Sequence, residues 1–541
     1  MLVDAGVELV VGLPGTQTLP IDRTVADRDE MRYVMARHET AVPHVAWGYY
    51  ETSGDVAATL TVPGPGDTNA VHGLKNAAED CVPLVHVSPD HDPEERGRGP
   101  IHELDPDTFD AVVKENVAVE RPEDLAAAVA RGVASALTQP YGPVRLGLPS
   151  AYLDTPLEGP TASVEPERVD YDNEAAFDAA SDLFDAADRP LVYVGGGARR
   201  SPTGQTEVRK LVDRLDAPVV ATMKGKGVVP EDDPRFVGVA GSHLPPGGRR
   251  VLEAADVVLA LGTDFDGVTT DGWSLPMGER RVHVTLDSDD VNRGYEADVA
   301  LLADAGEAAA ELRARVDGGG WDGARLGTAV REEYREALER QGLLDETSPM
   351  HAPALLRAVR EELPREAVVT VDVGGFRMWS LQAFPAYDRR TFVSAGSWAG
   401  MGVGLPAAVG AALANPDRPV VSLTGDGGFM MCVHELHTAV EEDLDLTVVV
   451  ANNSDYGVIS KSPKMAEYGE RRFTWSSPSF ADVAAGFGCR GTRVESSDEL
   501  RDAVDASLAR SGVDVVDAVV DPEDPTAAAA VDYESDLDVG R

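Results

Sequence analysis

Short runs of Val, Leu and Ile recur along this chain, and the stretches between them are patterned as amphipathic helices. Examples are "PLVHVS", "PVRLGLP", "PLVYVGGG", "DVVLALG", "AVVTVDVGG", "PVVSLTGDGG" and "LTVVVANN". Continuous apolar runs separated by helices read as strands buried on both faces, which means parallel sheets built from βαβ units. At 541 residues the chain is too long for one core. Two composition breaks divide it, the acidic, proline-interrupted "DTPLEGPTASVEPERVDYDNEA" (154–175) and the Gly-rich "DGGGWDGARLG" (317–327). Both read as linkers. The expectation is an α/β protein of three doubly wound parallel-sheet domains, over residues 1–155, 172–316 and 345–530.

The formal net charge is −45, from 93 Asp and Glu against 48 Lys and Arg. The acids are spread along the whole chain, which reads as a solvated coat suited to a salt-rich cytoplasm. Self-repulsion is screened there, since the Debye length falls to roughly 3 Å at 1 M salt. With no basic stripe to neutralise phosphates, nucleic acid is not an expected partner. No apolar run approaches the roughly 20 residues of a membrane span. The opening "MLVDAGVELVVGLPG" has no basic region or cleavage site of a signal peptide, so the expected location is cytoplasmic, away from membranes. Cys81, Cys432 and Cys489 lie far apart, with neither disulfide nor metal spacing.

The segment "GDGGFMMCVHELHTAVEEDLDLTVVVANN" (425–453) carries the most chemistry. Strands ending at Thr424 and Ala451, joined by one crossover helix, place Asp426 and Asn453 at the carboxyl edge of one sheet, where open α/β sheets bind ligands. A carboxylate, an amide oxygen and the backbone carbonyl of Asp455 form a half-filled, oxygen-only shell. Mg²⁺ accepts such a shell when phosphates complete it. Gly425, Gly427 and Gly428 let the backbone approach a diphosphate at the following helix N-terminus. Either end alone would be an ordinary turn; the pair at this spacing is far more specific. The histidines of "HELH" (434–437) are three apart and lack the zincin pattern, so zinc is not expected.

The paired motif resembles the thiamine diphosphate (ThDP) binding motif. That cofactor needs a carboxylic acid at N1′ of its aminopyrimidine, and "MARHETAVPHVAWGYYETSG" offers Glu39 at the start of a helix, where apolar neighbours would bury it and raise its pKa. Taken alone, Glu39 is a helix-start acid favoured by the dipole. "GVELVVGLPGTQTLP", "RHETAVPHVAWGYYETSG", "VPGPGDTNAVHGLKNAAEDCVPLV" and "GMGVGLPAAVGAAL" resemble the acetolactate synthase branch of ThDP enzymes, in the right order over nearly the whole chain. The resemblance implies pyrimidine-binding, central and diphosphate-binding domains, with Glu39 as the activating acid. It implies that Met401 props the cofactor, that Gly374 and Gly375 of "DVGGFRMW" contact the diphosphate, and that Gly15, Pro63, Asn69 and Tyr456 complete the cofactor site. It further implies a 2-oxo acid substrate such as pyruvate, and a homodimer or homotetramer with the active site between subunits. The chain also starts about one helix later than the family pattern.

Several departures cluster where substrate choice is made. The family's Phe-Gln-Glu is Ile101-His102-Glu103 here, its lysine after the first domain's last strand is Ser150, and its substrate-selecting tryptophan falls at Ser462. His102 reads equally as a proton donor or as a structural loop residue. FAD is implied by the branch, but Asp264 in "GTDFDG" stands where the family has a flavin-supporting arginine, which argues against it. A carboligase is expected. A non-ligating decarboxylase with His102 as donor and a catalytically silent ThDP-binding relative are the alternatives. The joint presence of Glu39, Asp426, Asn453 and Met401 weighs against the last.

Overall fold

The computed structural model describes residues 1–153, 156, 163–167, 172–469 and 473–540; the linker expected over 154–175 falls largely outside them. The Val-rich runs form three six-stranded sheets in which every pairing is parallel. The first holds β1 (Leu9–Gly12), β2 (Arg32–Met35), β3 (Ala57–Leu60), β4 (Leu84–Asp90), β5 (Glu115–Ala118) and β6 (Pro143–Pro149). The second holds β7 (Pro190–Val194), β8 (Val219–Ala221), β9 (Phe236–Val239), β10 (Val257–Leu261), β11 (Arg280–Thr285) and β12 (Val299–Leu302). The third holds β13 (Val368–Val371), β14 (Phe392–Ser394), β15 (Val420–Gly425), β16 (Leu446–Asn452), β17 (Arg490–Val494) and β18 (Val513–Val519).

Topology fixes where ligands can sit. The first sheet runs β2-β1-β3-β4-β6-β5 and the third repeats that order as β14-β13-β15-β16-β18-β17. The middle sheet runs β12-β11-β10-β7-β8-β9. Strand order reverses between β1 and β3, between β7 and β10, and between β13 and β15. At such switch points successive connections leave to opposite faces and open a crevice at the strand carboxyl ends.

The outer two sheets are held together by a helix crossing. Helix α1 (Ala41–Ser53) follows β2 and is buried along most of its length, and α2 (Pro65–Glu79) follows β3. From the third region come α3 (Gly375–Ala383) and α4 (Gly404–Ala414). Helix α4, "GLPAAVGAALA", is apolar on every side, as a helix enclosed by protein must be. It shares one core with α1, in which Trp47, Val45 and Val42 meet Leu405, Ala408 and Ala411. The backbones approach until no side chain fits between them. A Cβ at Gly48 would collide with the carbonyl of Ala407, and one at Gly410 with the carbonyl of Val45.

Gly48→Ala and Gly410→Ala should therefore each destabilise the protein, by roughly 1–3 kcal/mol if the helices shift apart to accommodate the methyl. Thermal unfolding of the two variants measures this. A melting temperature equal to the parent's for both would show that the crossing has slack which these contacts deny.

Candidate functional site

Strands β15 and β16 each run one residue past the expected ends, and their register pairs Gly425 with Ala451. The single crossover helix expected between them is two, α5 (Asp426–Cys432) and α6 (Glu435–Glu441), broken at Val433–His434. The break turns Glu435 toward the first domain, where its buried carboxylate accepts the amides of Arg37 at 3.0 Å and His38 at 3.1 Å. Burial raises the Glu435 pKa, and these donors with the Thr438 hydroxyl oppose the rise.

Asp426 is 4% exposed at the mouth of the crevice. Its carboxylate accepts the Gly427 amide at 2.8 Å, the Ser454 amide at 2.7 Å and the Ser477 hydroxyl at 3.4 Å. Burial pushes its carboxyl up to about 6 against these donors, and Asp455 adds to the rise. Asn453 sits at the end of the adjacent strand, its side-chain oxygen accepting the Asp455 amide at 3.1 Å. Among the described residues no basic side chain pairs with Asp426, so its charge is desolvated and uncompensated. A hard cation supplies what that carboxylate lacks.

The floor of the crevice is bare backbone. A Cβ at Gly374 or Gly425 would meet nothing within 4 Å, and one at Gly375 would meet only Val458, at 3.2 Å. Gly427 and Gly428 are needed for close approach instead, against the Tyr456 ring and the Asp372 carboxylate at 2.8 and 2.7 Å. Tyr456 is stacked on Trp475 with ring centroids 6.5 Å apart. Donor set, open glycines and helix starts together fit a metal-bound diphosphate.

Asp372, at the end of β13, is a member of this site that sequence reasoning missed. Its carboxylate accepts the amides of Val373 at 2.6 Å, Gly402 at 3.0 Å and Val403 at 3.3 Å, and the Thr424 hydroxyl at 3.1 Å. It ties the turn carrying half-buried Met401 to the ends of β13 and β15. The signal was an Asp leaving a strand into Gly-Gly, but its partners lie 30 and 52 residues away.

In the first domain, Gly15 and Pro63 follow β1 and β3 at the switch point. Glu39 differs from expectation: it lies two residues before α1 in the turn leading in, and the single chain leaves it half-buried, not enclosed by apolar groups. One oxygen accepts from Asn69 Nδ2 at 3.1 Å, while the Thr40 hydroxyl donates to the Asn69 carbonyl at 3.0 Å, so α2 is tied to this turn. His102 has φ +66 and its backbone lies over Gly64, whose Cβ would be 2.7 Å from the His102 carbonyl. Gln17 Nε2 lies 3.2 Å from His102 Nδ1, a contact across 85 residues with no sequence signal. Glu103 pins the same loop by accepting the amides of Gly97 and Gly99. Ser150 begins a short helix directly after β6.

The histidines of "HELH" serve the domain contact. His437 Nδ1 lies 2.8 Å from Arg37 Nε, and the His434 ring lies 5.8 Å from that of His38. Among the described residues no hydrogen bond or ion pair joins Glu39 to Asp426 or Asn453. Glu39 stands in the first domain and Asp426 and Asn453 in the third, so the expected cofactor site has two halves. Around the second half, Met430, Met431, Tyr456, Val458, Ile459 and Phe473 are exposed, a concentration of apolar surface.

A cavity of about 310 Å³ opens at the β7/β10 switch point of the central sheet. Asp264, Asp266, Asp287 and Asp290 all line it. Burial and then Asp266 raise the Asp264 pKa; burial, Asp264 and Asp287 push Asp290 up to about 6. Lys75, Arg200, Lys224 and Arg293 line it as well, so the lining carries both signs.

Three family models cover most of the chain. The N-terminal TPP binding domain of thiamine pyrophosphate enzymes matches residues 1–111, the central domain of those enzymes 177–312, and their C-terminal TPP binding domain 372–518. The acetolactate synthase large subunit of Parasynechococcus marenigrum is 31% identical over 93% of this chain and 83% of its own length. Isozyme 1 of the acetolactate synthase large subunit from Escherichia coli is 28% identical over 97% of this chain and 93% of its own. A probable acetolactate synthase large subunit of Methanocaldococcus jannaschii is 27% identical over 96% and 90%. Matched domains, matched order and near-complete coverage agree with the three sheets: the chain belongs to the thiamine pyrophosphate enzymes and is acetolactate synthase-like.

Proposed function

We propose that the protein binds ThDP with Mg²⁺, without flavin, decarboxylates a 2-oxo acid such as pyruvate and transfers the acyl unit to an acceptor. The observation that carries this reading is Asp426, desolvated and unpaired beside Asn453 above a floor of open glycines. Asp426, Asn453 and the Asp455 carbonyl hold the metal, and Gly374, Gly375, Gly425, Gly427 and Gly428 admit the diphosphate. Met401 and Tyr456 contact the cofactor body. Glu39, oriented by Asn69, supplies the proton at N1′ of the pyrimidine, with Gly15 and Pro63 lining that end. When bound, the cofactor provides the electron sink for loss of CO₂. The exposed apolar residues around the second half support a homodimer or homotetramer, in which Glu39 of one copy faces the diphosphate site of another.

His102, braced by Gln17, favours a second reading in which a proton takes the place of the acceptor and the enzyme is a simple decarboxylase. Products from a panel of 2-oxo acids decide between them. Acetolactate-type products are expected from the parent. Aldehyde alone, falling roughly 10²-fold or more in His102→Ala, would establish the decarboxylase. CO₂ release from no member of the panel, with ThDP bound, would leave a silent relative.

The metal assignment carries a pH dependence. The folded pKa of Asp426, about 6, lies above its ordinary value of 3.8. The stability this group contributes is therefore present below about 3.8 and lost as pH rises through about 6 in the metal-free protein. Mg²⁺ needs the ionised form, so its apparent affinity should fall below about pH 6, by up to about tenfold per unit. Titration calorimetry of Mg²⁺ with ThDP between pH 5 and 8 reads this, and Asp426→Ala should abolish the binding. Tight ThDP binding by that variant in excess EDTA would remove Asp426 from the site.

Glu39→Gln should leave ThDP binding intact, because the metal and diphosphate groups lie in another domain. Proton exchange at C2 of the thiazolium should slow by roughly 10²–10⁴-fold, the range credited to a positioned acid or base. NMR exchange measurements test it. Parent-like turnover in the variant would end the assignment of Glu39, and loss of binding would make it a structural group.

A further inference from the structure

The acidic cavity of the central sheet is not acidic throughout. Its lining also carries Lys75, paired with Glu79, Arg293, paired with Asp290, and Arg200 and Lys224, which differ in how well they are satisfied. Lys224 donates to Asp80 at 2.7 Å and to the Ser394 carbonyl at 3.1 Å. Arg200 has no hydrogen-bond or ion-pair partner among the described residues, and its Nη1 is buried without one. Its guanidinium lies against Gly196, where a Cβ would come within 3.1–3.2 Å of both terminal nitrogens. Gly196 and Gly197 follow β7, and Gly262 follows β10, so the guanidinium stands at the crevice between those strands.

Two carboxylates lining the same cavity have few partners of their own. Asp264 accepts only the Asp266 amide, at 3.3 Å, and makes no ion pair among the described residues. Asp290 receives the Thr285 hydroxyl at 3.1 Å and a long contact from Arg293 at 3.5 Å. A cavity of about 310 Å³ is thus lined both by a guanidinium without a partner and by acids with few partners. Among the described residues no ion pair joins Arg200 to Asp264 or Asp290.

We propose that this cavity is a binding site for a small zwitterion of the amino-acid class, its carboxylate held by Arg200 and its ammonium by Asp264 and Asp290. A guanidinium grips a carboxylate through two parallel hydrogen bonds, and an ammonium offers three donors to the acids. A ligand with one charge alone would satisfy one of the two signs and leave the other unpaired, at the cost of a desolvated charge. The volume is at the small end of ligand pockets, of order 300–1,000 Å³, and suits a compact molecule. Location at a switch point is an independent reason for a ligand here. Gly396 and Ser397 also line the cavity, which brings an occupant to the segment leading to Met401.

The test is thermal shift and calorimetry on the full chain at matched salt, with L-alanine, L-leucine, L-lysine and L-glutamate as probes. Each is run beside its N-acetyl and its carboxamide form. At least one free amino acid should raise the melting temperature saturably, with both blocked forms at least about tenfold weaker. Arg200→Gln and Asp264→Asn should each weaken the free form by a similar factor while retaining the parent's melting temperature without ligand. Should a variant fail to fold, the blocked forms on the parent still decide. No shift with any of the four would overturn the proposal. So would an N-acetyl form binding as well as the free one, or saturable binding of FAD that Arg200→Gln abolishes.

Discussion

The crossing of α1 over α4 is the constraint on which the rest depends. Two helices meet backbone to backbone at Gly48 and Gly410, so the first domain has one seat on the third. Apolar burial drives this contact, but the glycines decide its depth. Only at that depth does Glu435 reach the Arg37 and His38 amides just before Glu39. A buried carboxylate of the C-terminal TPP binding domain thereby binds the turn that carries Glu39 in the N-terminal one. The crossover between β15 and β16 accommodates this by breaking into two helices.

Three buried carboxylates near the site show how burial and donors divide structural from functional acids. Asp372 and Glu435 are desolvated, and their pKa values rise, but each is met by donors from segments that must be held together. Their hydrogen bonds are complete enough to make them fasteners. Asp426 is met by two amides and a weak hydroxyl and by no cation. The same desolvation thus leaves its charge without a counter-charge, which is the feature the proposed metal site rests on. Arg200 and Asp264 pose the same kind of question in the central sheet, where both signs line one cavity.

What the sequence made legible was what lies close in the chain. Val-rich runs marked the parallel strands, because a strand buried on both faces needs no distant partner to be recognised. Gly-Asp-Gly and Asn-Asn marked the ends of adjacent strands, because their spacing holds one crossover. The illegible parts are contacts between segments the topology brings together late. Asp372 takes its meaning from Gly402 and Thr424, Glu435 from Arg37, and His102 from Gln17 and Gly64. Glu39 likewise takes its partner, Asn69, from the next helix. Asp264 was visible as a substitution, but its unpaired counterpart Arg200 shows only where β7 and β10 end side by side.

The distribution of scarce positive charge completes the account. Only seven of the 48 basic residues are lysines, in a chain of net charge −45. Two of the seven, buried Lys226 and partly buried Lys224, stand where domains meet. Lys226 bonds Glu231 at 2.6 Å and the Leu381 and Phe384 carbonyls. Lys224 joins Asp80 and lies 3.6 Å from Glu51, which also pairs with Arg199. Burial lowers the Lys224 pKa to about 7, with Asp80 opposing and Arg199 reinforcing the fall. Salt screens the exposed acids over a few ångströms but reaches buried pairs far less. The acidic coat can therefore vary with ionic strength while the junctions that align α1, the central sheet and the Met401 segment keep their pairing. Replacing one partner of such a pair leaves the other charge buried and alone, which is costlier than never having had the pair. The junction charges are thus kept by geometry, and the surface charges by solvent.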